Sequence, residues 1–401
     1  MNETASEGAL AGIRVIDLTR ILAGPFCTMN LGDLGAEIIK IEHPGRGDDT
    51  RGWGPPFAGG EAAYFLGINR NKRSVTINLR DERGKDLLRT LLKDADVLIE
   101  NFKPGTLDRW GFTDQWMAEH APRVVHCTIT GYGAKGPKGG MPGYDFLLQA
   151  ESGLMSVSGE ATGKPAKLGV AIVDVCTGQY AAMCILAALH ARERTGRGQR
   201  LDLSLYNTSL SMLINVASNY LIAGTRPSRY GNGHPNIVPY RDYVCGEGEI
   251  ALAVGNDAQF ARFAQLVGHP EWADGLRFKT NAARVTNRAE IDDLIIGALS
   301  AKPAQEWTRV LEAEGIPCSK VNHVDEVLES EQTRANDMVI KMHHPTAGAI
   351  RILGIPYTFS DTPAAAQAPP PVLGADTDSV LTELAGLSGD EITALRADEV
   401  I

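Results

Sequence analysis

The sequence predicts an α/β protein with parallel strands, and three observations carry this prediction. Residues 13–18 form a short apolar run rich in β-branched residues, which is typical of a buried strand. A helical segment at residues 26–34 and a second apolar run at residues 36–41 follow it. A strand–helix–strand order of this kind places the two strands parallel in one sheet.

The first predicted helix is marked at both ends. Residues 23–25, Ala-Gly-Pro, interrupt the apolar pattern, and Pro25 suits a first helical turn because its missing N–H would have no partner there. Gly35 stands where a residue of left-handed conformation commonly follows a helix. We therefore expect the helix to cover residues 26–34, between the first two strands.

The alternation of apolar runs and amphipathic segments continues to residue 221. The further predicted strands cover residues 74–79, 97–99, 123–130 and 200–205. The further predicted helices cover residues 82–93, 146–155, 177–193 and 207–221. Leucines fall on one stripe of the helix at residues 82–93, so one face of that helix is expected to be buried.

The length of 401 residues allows two domains, and one segment is a plausible boundary between them. Residues 224–240 are rich in glycine and proline, and a stretch with one predicted strand and three predicted helices follows up to about residue 321. A Pro/Ala-rich linker at residues 363–371 leads to a predicted helix pair at residues 377–400, which must pack on an earlier part of the chain.

Charge and composition argue against several classes of protein. A formal net charge of −10 disfavours a general nucleic-acid-binding protein, which would carry a basic face. The first ten residues are polar and lack the apolar core of a signal peptide, and the apolar run at residues 181–189 is too short to span a bilayer. We therefore expect a cytoplasmic protein with no membrane partner. The six cysteines show no C-x-x-C spacing, so no metal site is predicted.

Residues 131–136, Gly-Tyr-Gly-Ala-Lys-Gly, match the glycine pattern of dinucleotide-binding folds. Such a fold needs a helix to begin at the pattern, so that its N-terminus faces the pyrophosphate. Here Pro137 follows, and no helix is predicted until near Asp145. A nicotinamide cofactor is therefore disfavoured, and two interpretations stay open: a loop whose backbone approaches another ligand, or a surface turn.

A basic segment at residues 69–74 reads Asn-Arg-Asn-Lys-Arg-Ser, and Arg46, Arg51 and Arg80 lie near it in the sequence. Arginine and lysine are suited to binding phosphate. A solvated loop is the alternative interpretation.

Residues 100–105, Glu-Asn-Phe-Lys-Pro-Gly, directly follow a predicted strand. Ligands of open α/β sheets bind beyond the carboxyl ends of the strands, and an asparagine–phenylalanine pair there could hydrogen-bond to a base and stack on it. The pair could equally be a helix cap followed by a core aromatic residue.

Asp174 lies between an apolar run and the helix predicted from near Thr177. An acid at such a place is often a helix cap. An acid flanked by apolar residues is also desolvated, which makes it a stronger nucleophile. Asp145 is a rival acid, and we interpret it as a helix cap. The local sequence leaves both roles of Asp174 open.

Six segments in fixed order identify a family. They read VIDLTRILAGPF, LGDLGAEIIKIE, NRNKRS, ENFKPG, TGYG and TGRGQ, at residues 15–26, 31–42, 69–74, 100–105, 130–133 and 195–199. Together they resemble the class III CoA-transferases (CaiB/BaiF type), which include formyl-CoA transferase and carnitine CoA-transferase. The resemblance extends from about residue 10 to residue 400. Shorter segments, GDDTR at residues 47–51 and IVPY at residues 237–240, resemble the succinate–hydroxymethylglutarate (glutarate) branch.

The resemblance implies a two-domain fold and a dimer. The large domain would be a Rossmann-like open sheet formed by both chain ends, residues 1–223 and 325–401. Residues 224–324 would form a smaller α/β domain. Two subunits of the homodimer would interlock like linked rings.

The resemblance also implies that the enzyme transfers coenzyme A from an acyl-CoA donor to a carboxylic acid. Asp174 matches the catalytic aspartate of the family, whose carboxylate attacks the donor thioester. A mixed anhydride and then an aspartyl-CoA thioester would follow. Coenzyme A would be a substrate, with no permanently bound cofactor expected. The branch suggests succinyl-CoA as the donor and a dicarboxylic acid such as glutarate as the acceptor.

Nine positions match coenzyme A contacts of the family. They carry Ala23, His43, Ile77, Arg80, Asn101, Phe102, Arg109, Thr130 and Tyr132 in this sequence. His43 stands where formyl-CoA transferase has an arginine, and Thr130 stands where it has a lysine. Arg80 or Arg73 could compensate for the phosphate contacts that these two departures remove.

The α-methylacyl-CoA racemases resemble this chain too, and they provide the alternative function. They pair an acid with a histidine at the position of Tyr144, because proton exchange at a carbon needs two acid/base groups. A tyrosine with an ordinary pKa is a poor substitute, which favours transfer over racemisation. For the acceptor, Arg226, Arg229 and Arg241 could hold a second carboxylate, and the glycine-rich loop at residues 230–234 could close over it.

Overall fold

The computed structural model describes residues 7–401, which fall into two compact units. The first unit contains the described residues up to Ser152, together with Gly169–Met212 and Ser330–Ile401. The second unit contains Gly153–Leu168 and Leu213–Glu329. The predicted domain limits at residues 224 and 324 stay a prediction.

The first unit is built on a six-stranded parallel sheet. In chain order the strands are β1 (Arg14–Asp17), β2 (Glu37–Glu42), β3 (Lys72–Thr76), β4 (Val97–Glu100), β5 (Val125–Thr130) and β6 (Arg200–Ser204). Their spatial order is β3-β2-β1-β4-β5-β6, and every neighbouring pair is parallel. The predicted α/β class with parallel strands is confirmed. Strands β2 and β3 are added on one side of β1, whereas β4, β5 and β6 are added on its other side, so the strand order reverses between β1 and β4. Ligands of such sheets bind beyond the carboxyl ends of the strands at that point.

Four helices of the first unit are used in the argument that follows. They are α1 (Ala23–Asp33), α2 (Glu82–Lys93), α3 (Asp145–Glu151) and α4 (Ile172–Thr195). The remaining helices of this unit are Ala63–Ile68, Thr106–Arg109, Asp114–His120, Leu205–Ser211, Glu331–Ala335, Thr377–Ala385 and Gly389–Ala397, with a 3₁₀ turn at Asp49–Gly52. Two hairpins complete it: Phe57–Ala58 with Glu61–Ala62, and Val339–His344 with Gly348–Leu353.

Several predicted boundaries need correction. Helix α1 begins at Ala23, so residues 23–25 do not interrupt it, although Pro25 does lie in its first turn and Gly35 follows it with φ of +100°. The helix predicted at residues 146–155 is two helices, because Gly153 between them has φ of +93°. The helix predicted at residues 207–221 also divides, near Ile214.

The helix pair at the end of the chain packs on α2. Val380, Leu381 and Ile392 share one buried cluster with the leucine stripe of α2. Leu88 in that stripe is fully buried, and burial of one such side chain contributes about 1.5–3 kcal/mol. The last segment therefore completes the core on one face of the sheet.

Helix α4 corrects the expectation about membrane spans. It has 24 residues, and by length and composition it could cross a bilayer, although its apolar run at residues 181–189 is too short to do so alone. A buried helix of a soluble protein meets the same criteria. In this structure α4 packs against α1 so closely that a Cβ added at Gly178 would lie 2.5 Å from the carbonyl oxygen of Ala23.

The second unit has a small antiparallel sheet and its own core. Its strands are Tyr240–Val244, Glu249–Ala253 and Cys318–Lys320. Its helices are Leu154–Val157, Ile214–Ala223, Asp257–Leu266, Glu271–Asp274, Asn281–Thr286, Arg288–Leu299, Ala304–Ala313 and Val324–Leu328. Phe260, Phe263 and Trp307 are buried at the centre of this core.

Candidate active site

The carboxyl ends of the parallel strands open into a cavity of about 540 Å³ in the first unit. Its wall is formed mainly by the segments that follow the strands: residues 20–23, 41–43, 77–80, 101–104 and 129–131. Asp174 on α4, residues 46–48 and residues 140–144 also line it. The cavity thus occupies the place where open α/β sheets bind ligands.

The structure brings most of the predicted site residues together. The cavity is lined by Ala23, His43, Ile77, Arg80, Asn101, Phe102, Thr130 and Asp174. Arg109 and Tyr132 do not line it. The guanidinium of Arg109 donates to Thr106 Oγ1, and the hydroxyl of Tyr132 donates to Glu151 Oε2.

Asp174 lies in the first turn of α4. The helix begins at Ile172 rather than near Thr177, so Asp174 is its third residue and not its cap. In the described part of the chain, no group donates a hydrogen bond to the Asp174 carboxylate. The side chain is partly buried and forms part of the cavity wall. The carboxylate is therefore available to a ligand in the cavity.

The cap of α4 comes from Asp145. Its Oδ1 accepts the N–H of Val173 at 2.7 Å and, more weakly, the N–H of Asp174 at 3.4 Å. Its Oδ2 accepts from Gln149 Nε2 at 2.7 Å. Asp145 is the first residue of α3, so it caps a helix that begins 27 residues later instead of its own.

The surroundings of Asp174 disfavour its charge. Burial, followed by the neighbouring charge of Asp145, raises the pKa of Asp174 to about 7. Burial, followed by the charges of Asp174, Asp145 and Asp48, raises the pKa of Tyr64 to about 12. Near pH 7 the Asp174 carboxyl group is thus divided between its acid and its basic form.

The segment after β4 is fixed by hydrogen bonds. The side chain of Asn101 bonds to both main-chain groups of Arg20, at 3.0 Å and 2.8 Å. Glu100 accepts the N–H of Phe102 at 2.6 Å, and the Phe102 ring contacts Trp110 edge-on. Asn101 is not a helix cap, because the next helix begins after Gly105. Burial raises the pKa of Glu100 to about 7.

The basic segment at residues 69–74 is neither a solvated loop nor a free phosphate site. Arg70 is buried and donates two hydrogen bonds to Asp33, at 2.8 Å and 2.6 Å. Lys72 is also buried, and it bonds to the carbonyl oxygen of Pro25 at 2.8 Å. Arg73 is paired with carboxylates of Glu37 and Glu383, so it is not available to compensate for His43 or Thr130.

Other cations do face the cavity. Arg46, Arg80 and Lys103 are exposed and line its wall. Arg51, by contrast, is held by two hydrogen bonds from its guanidinium to Glu42. Three positive side chains are therefore available to an anionic ligand such as a phosphate group.

The turn after β1 has a strained backbone that hydrogen bonds with Asp48 and Lys40 hold in place. Ile21 has φ of +74°, a conformation that a β-branched residue rarely adopts. Its N–H donates to Asp48, whose carboxylate also accepts from the buried ammonium of Lys40 at 2.9 Å. Lys40 in turn donates to the carbonyl oxygen of Thr19 at 2.8 Å. Strain of this kind is commonly maintained at functional sites.

The glycine-rich loop closes on itself beside the cavity. A Cβ on Gly131 would lie 2.4 Å from the main-chain nitrogen of Gly143, so the two ends of the loop touch through their backbones. Gly131, Gly140 and Gly143 line the cavity. The next helix, α3, begins only at Asp145, as expected for a loop that does not belong to a dinucleotide-binding fold. Within residues 7–401, no group of three or more potential ligands is placed to hold a metal ion.

Comparison with known proteins decides the family. The model of CoA-transferase family III matches residues 10–377. This chain belongs to CoA-transferase family III. It is thus an enzyme that transfers coenzyme A from an acyl-CoA to a carboxylic acid, as the resemblance implied.

Two similar proteins and one solved structure support the assignment. The chain is 40% identical to succinyl-CoA:glutarate CoA-transferase of Mus musculus, over 98% of this chain and 90% of that protein. It is also 40% identical to succinate–glutarate CoA-transferase of Agrobacterium fabrum, over 94% of this chain and 95% of that protein. A CaiB/BaiF family protein from Brucella suis superposes with a TM-score of 0.82 at 40% identity, over 94% of this chain and all of that one.

Sequence reasoning identified Asp145 as a helix cap but missed which helix it caps, and it missed two further contacts that shape the site of this transferase. Three interactions join distant parts of the chain: Asp145 caps α4, the charge of Asp174 acts on Tyr64, and Asp48 accepts the N–H of Ile21. No local sequence pattern indicates which distant residue each of them contacts. The one available signal was the acid directly after Tyr144 in the segment that precedes α3.

Proposed function

We propose that this CoA-transferase works through covalent intermediates on Asp174, with coenzyme A lying along the carboxyl edge of the sheet. The observation that carries the proposal is the Asp174 carboxylate itself. It forms part of the cavity wall, and no hydrogen-bond donor in the described chain engages it. Its pKa, raised to about 7 mainly by burial, makes it a stronger nucleophile than a solvated aspartate.

The first half-reaction would consume the donor thioester. The Asp174 carboxylate attacks the acyl carbonyl, and the C–S bond breaks to release the thiolate of coenzyme A. A mixed anhydride of Asp174 and the acyl group remains. The thiolate then attacks the aspartyl carbonyl, which releases the donor acid as a carboxylate and leaves an aspartyl-CoA thioester. Splitting the transfer in this way replaces one difficult step by easier ones.

The second half-reaction would repeat these steps in reverse. The acceptor carboxylate attacks the aspartyl thioester, forming a new anhydride and freeing the thiolate. The thiolate then attacks the acceptor carbonyl. The new acyl-CoA leaves, and the Asp174 carboxylate is restored.

Each tetrahedral intermediate carries an oxyanion, and we propose that the N–H groups at the start of α1 stabilise it. The first N–H groups of a helix have no partner inside the helix. No side chain caps α1 at Leu22, and Leu22 and Ala23 both line the cavity with Asp174. N–H groups directed at developing negative charge are an effective source of transition-state stabilisation.

The phosphates of coenzyme A would bind the exposed cations of the cavity. Arg46, Arg80 and Lys103 are candidates, and the predicted role of Arg80 fits this arrangement. His43 and Thr130 line the same wall, where they could contact other parts of the ligand.

Succinyl-CoA and glutarate are the substrates we propose, because the names of two similar proteins combine succinate or succinyl-CoA with glutarate. A second carboxylate needs a cation. Arg229 already donates to the carbonyl oxygens of Glu160 and Gly163, and Arg241 lies beside Asp292. Arg226 is exposed, and its role in binding the acceptor stays a prediction.

A homodimer is part of the proposal. Helix Ile214–Ala223 has no buried residue, although Leu221 and Ile222 on it are apolar and 78% and 84% exposed. Apolar surface of this kind is typical of protein–protein contacts. A second copy of the chain, interlocked with the first, would cover it.

We also propose a cytoplasmic location for the protein.

One experiment tests the function and its substrates together. The purified protein is incubated with succinyl-CoA and a panel of mono- and dicarboxylic acids, and the acyl-CoA products are followed by mass spectrometry. We expect glutaryl-CoA to form and Asp174→Ala to abolish transfer. Normal transfer by Asp174→Ala would overturn the mechanism, and equal use of monocarboxylic acids would overturn the substrate class.

A further inference from the structure

We propose that Asp145 is a positioning residue of the transfer reaction, which fixes Asp174 through the helix end and sets a second negative charge beside it. The proposal rests on the function proposed for Asp174. It gives a specific task to an acid that the sequence presents only as a cap.

The geometry gives Asp145 a fixed place. One carboxylate oxygen accepts the N–H of Val173 at 2.7 Å and the N–H of Asp174 at 3.4 Å. The other oxygen accepts from Gln149 at 2.7 Å, within the same short helix α3. The side chain is buried, so water does not compete for these bonds. The main chain of the nucleophile is thereby held by a residue from an earlier helix.

A helix cap alone does not require a charge. Serine, threonine and asparagine cap helices about as well as aspartate. An aspartate here adds a negative charge close to the Asp174 carboxylate, and like charges at short distance destabilise each other. Asp145 therefore stabilises the start of the helix that carries the nucleophile, and its charge at the same time repels the charge of the Asp174 carboxylate.

The repulsion between Asp145 and Asp174 favours the covalent intermediates. When Asp174 is acylated, its negative charge is lost, and the repulsion from Asp145 is lost with it. The anhydride and the thioester are thereby stabilised relative to the free carboxylate. The same repulsion favours the protonated form of Asp174 over the charged form, so the fraction of active carboxylate depends on pH.

Other titratable and charged groups line the same cavity or interact with Asp174. Burial, followed by the charge of Asp174, raises the pKa of Tyr64 in helix Ala63–Ile68. The cavity wall contains Tyr144, His43, Glu42, Asp48 and the cations Arg20, Arg46, Arg80 and Lys103. Burial and Asp145 are the two influences that raise the pKa of Asp174. Removal of the Asp145 charge should thus shift the titration in a single direction.

Two neutral substitutions that keep a capping oxygen test the proposal: Asp145→Asn and Asp145→Ser. For each, kcat/KM with saturating acceptor is measured from pH 5 to 9 and normalised to its own plateau. We expect the acidic limb of this pH–rate profile to have its midpoint near pH 7 in the wild type and about one pH unit lower in the variants. A shift of one unit makes the normalised rate at pH 6 about fivefold higher than in the wild type.

Asp81→Asn is the matched control, because Asp81 caps α2 through the N–H of Arg83 at 2.9 Å and lies outside the cavity wall. It should leave the pH profile unchanged. An unshifted limb in folded Asp145→Asn and Asp145→Ser would overturn the proposal, and so would the failure of both to fold, since Asp145 would then serve stability alone. The proposed function is judged separately, by whether wild-type protein forms a covalent intermediate on Asp174.

Discussion

The side-chain amide of Asn101 bonds to both main-chain groups of Arg20: Oδ1 accepts the N–H at 3.0 Å, and Nδ2 donates to the carbonyl oxygen at 2.8 Å. The two residues follow β4 and β1, the neighbouring strands between which the strand order of the sheet reverses. This pair therefore holds together the two loops between which a ligand would lie. Asn101 forms part of the cavity wall, and its two hydrogen bonds also fix the position of the loop that follows β1.

Loss of this pair should weaken substrate binding. In Asn101→Ala, both hydrogen bonds disappear, and each contributes about 1 kcal/mol. We expect the KM for the acyl-CoA to rise about tenfold, with a smaller change in kcat, in steady-state assays. Asn287→Ala is the control, since Asn287 bonds to the carbonyl oxygen of Arg277 in the second unit. Equal effects of the two substitutions would mean that the Asn101–Arg20 pair has no particular role in binding.

A second prediction concerns the phosphates of coenzyme A. Arg80→Ala should raise the KM for the acyl-CoA about tenfold while kcat stays within a factor of about two, because a charge-assisted hydrogen bond contributes about 1.5–3 kcal/mol. The effect should shrink at high salt. Arg83→Ala is the matched control: Arg83 is also exposed, but it pairs with Asp81 and Asp398 away from the cavity. An unchanged KM in Arg80→Ala would remove Arg80 from the binding site.

The third prediction uses the buried carboxyl group of Glu100. Burial raises its folded-state pKa to about 7, whereas in the unfolded chain it ionises near 4.5. The folded state thus binds more protons between these values, so Glu100 lowers stability as pH rises from about 4.5 to 7 and keeps its full unfavourable effect above 7. Glu100→Gln removes the charge and should raise the free energy of unfolding at pH 8 by about 2 kcal/mol.

Chemical denaturation at pH 4 and pH 8 measures this difference. At pH 4 the substitution should change stability little, because the wild-type side chain is largely protonated in both states. Equal stabilisation at both pH values would show that the effect does not come from ionisation. His126, whose Nε2 lies 3.9 Å from Glu100 and whose pKa burial lowers to about 4, is neutral at pH 8 and does not offset the charge.

Elements whose signals are local could be predicted from the sequence. Helix α2 covers residues 82–93 as expected, because its leucine stripe and its cap, Asp81, both lie within or beside the segment. The start of α4 was missed because its cap, Asp145, comes from an earlier helix. An apolar run such as residues 169–173 does not reveal where a helix begins when the capping residue is remote.

The charges of residues 69–74 illustrate the same limit. Arg70 and Lys72 look like a solvated or phosphate-binding cluster until their partners are known. Those partners, Asp33 and Asp17, are 37 and 55 residues away in the chain. Burial of paired charges depends on the completed sheet, so the local sequence could not distinguish these residues from Arg80, which remains exposed.

The most direct test of the role of Asp174 is to trap the covalent intermediate. Wild-type protein is incubated with the acyl-CoA donor that supports turnover, treated with hydroxylamine and digested, and the peptides are mapped by mass spectrometry. We expect a hydroxamate on Asp174 that requires the donor. Continued turnover with no modification, or with modification only at another carboxylate such as Asp145, would contradict the proposed mechanism.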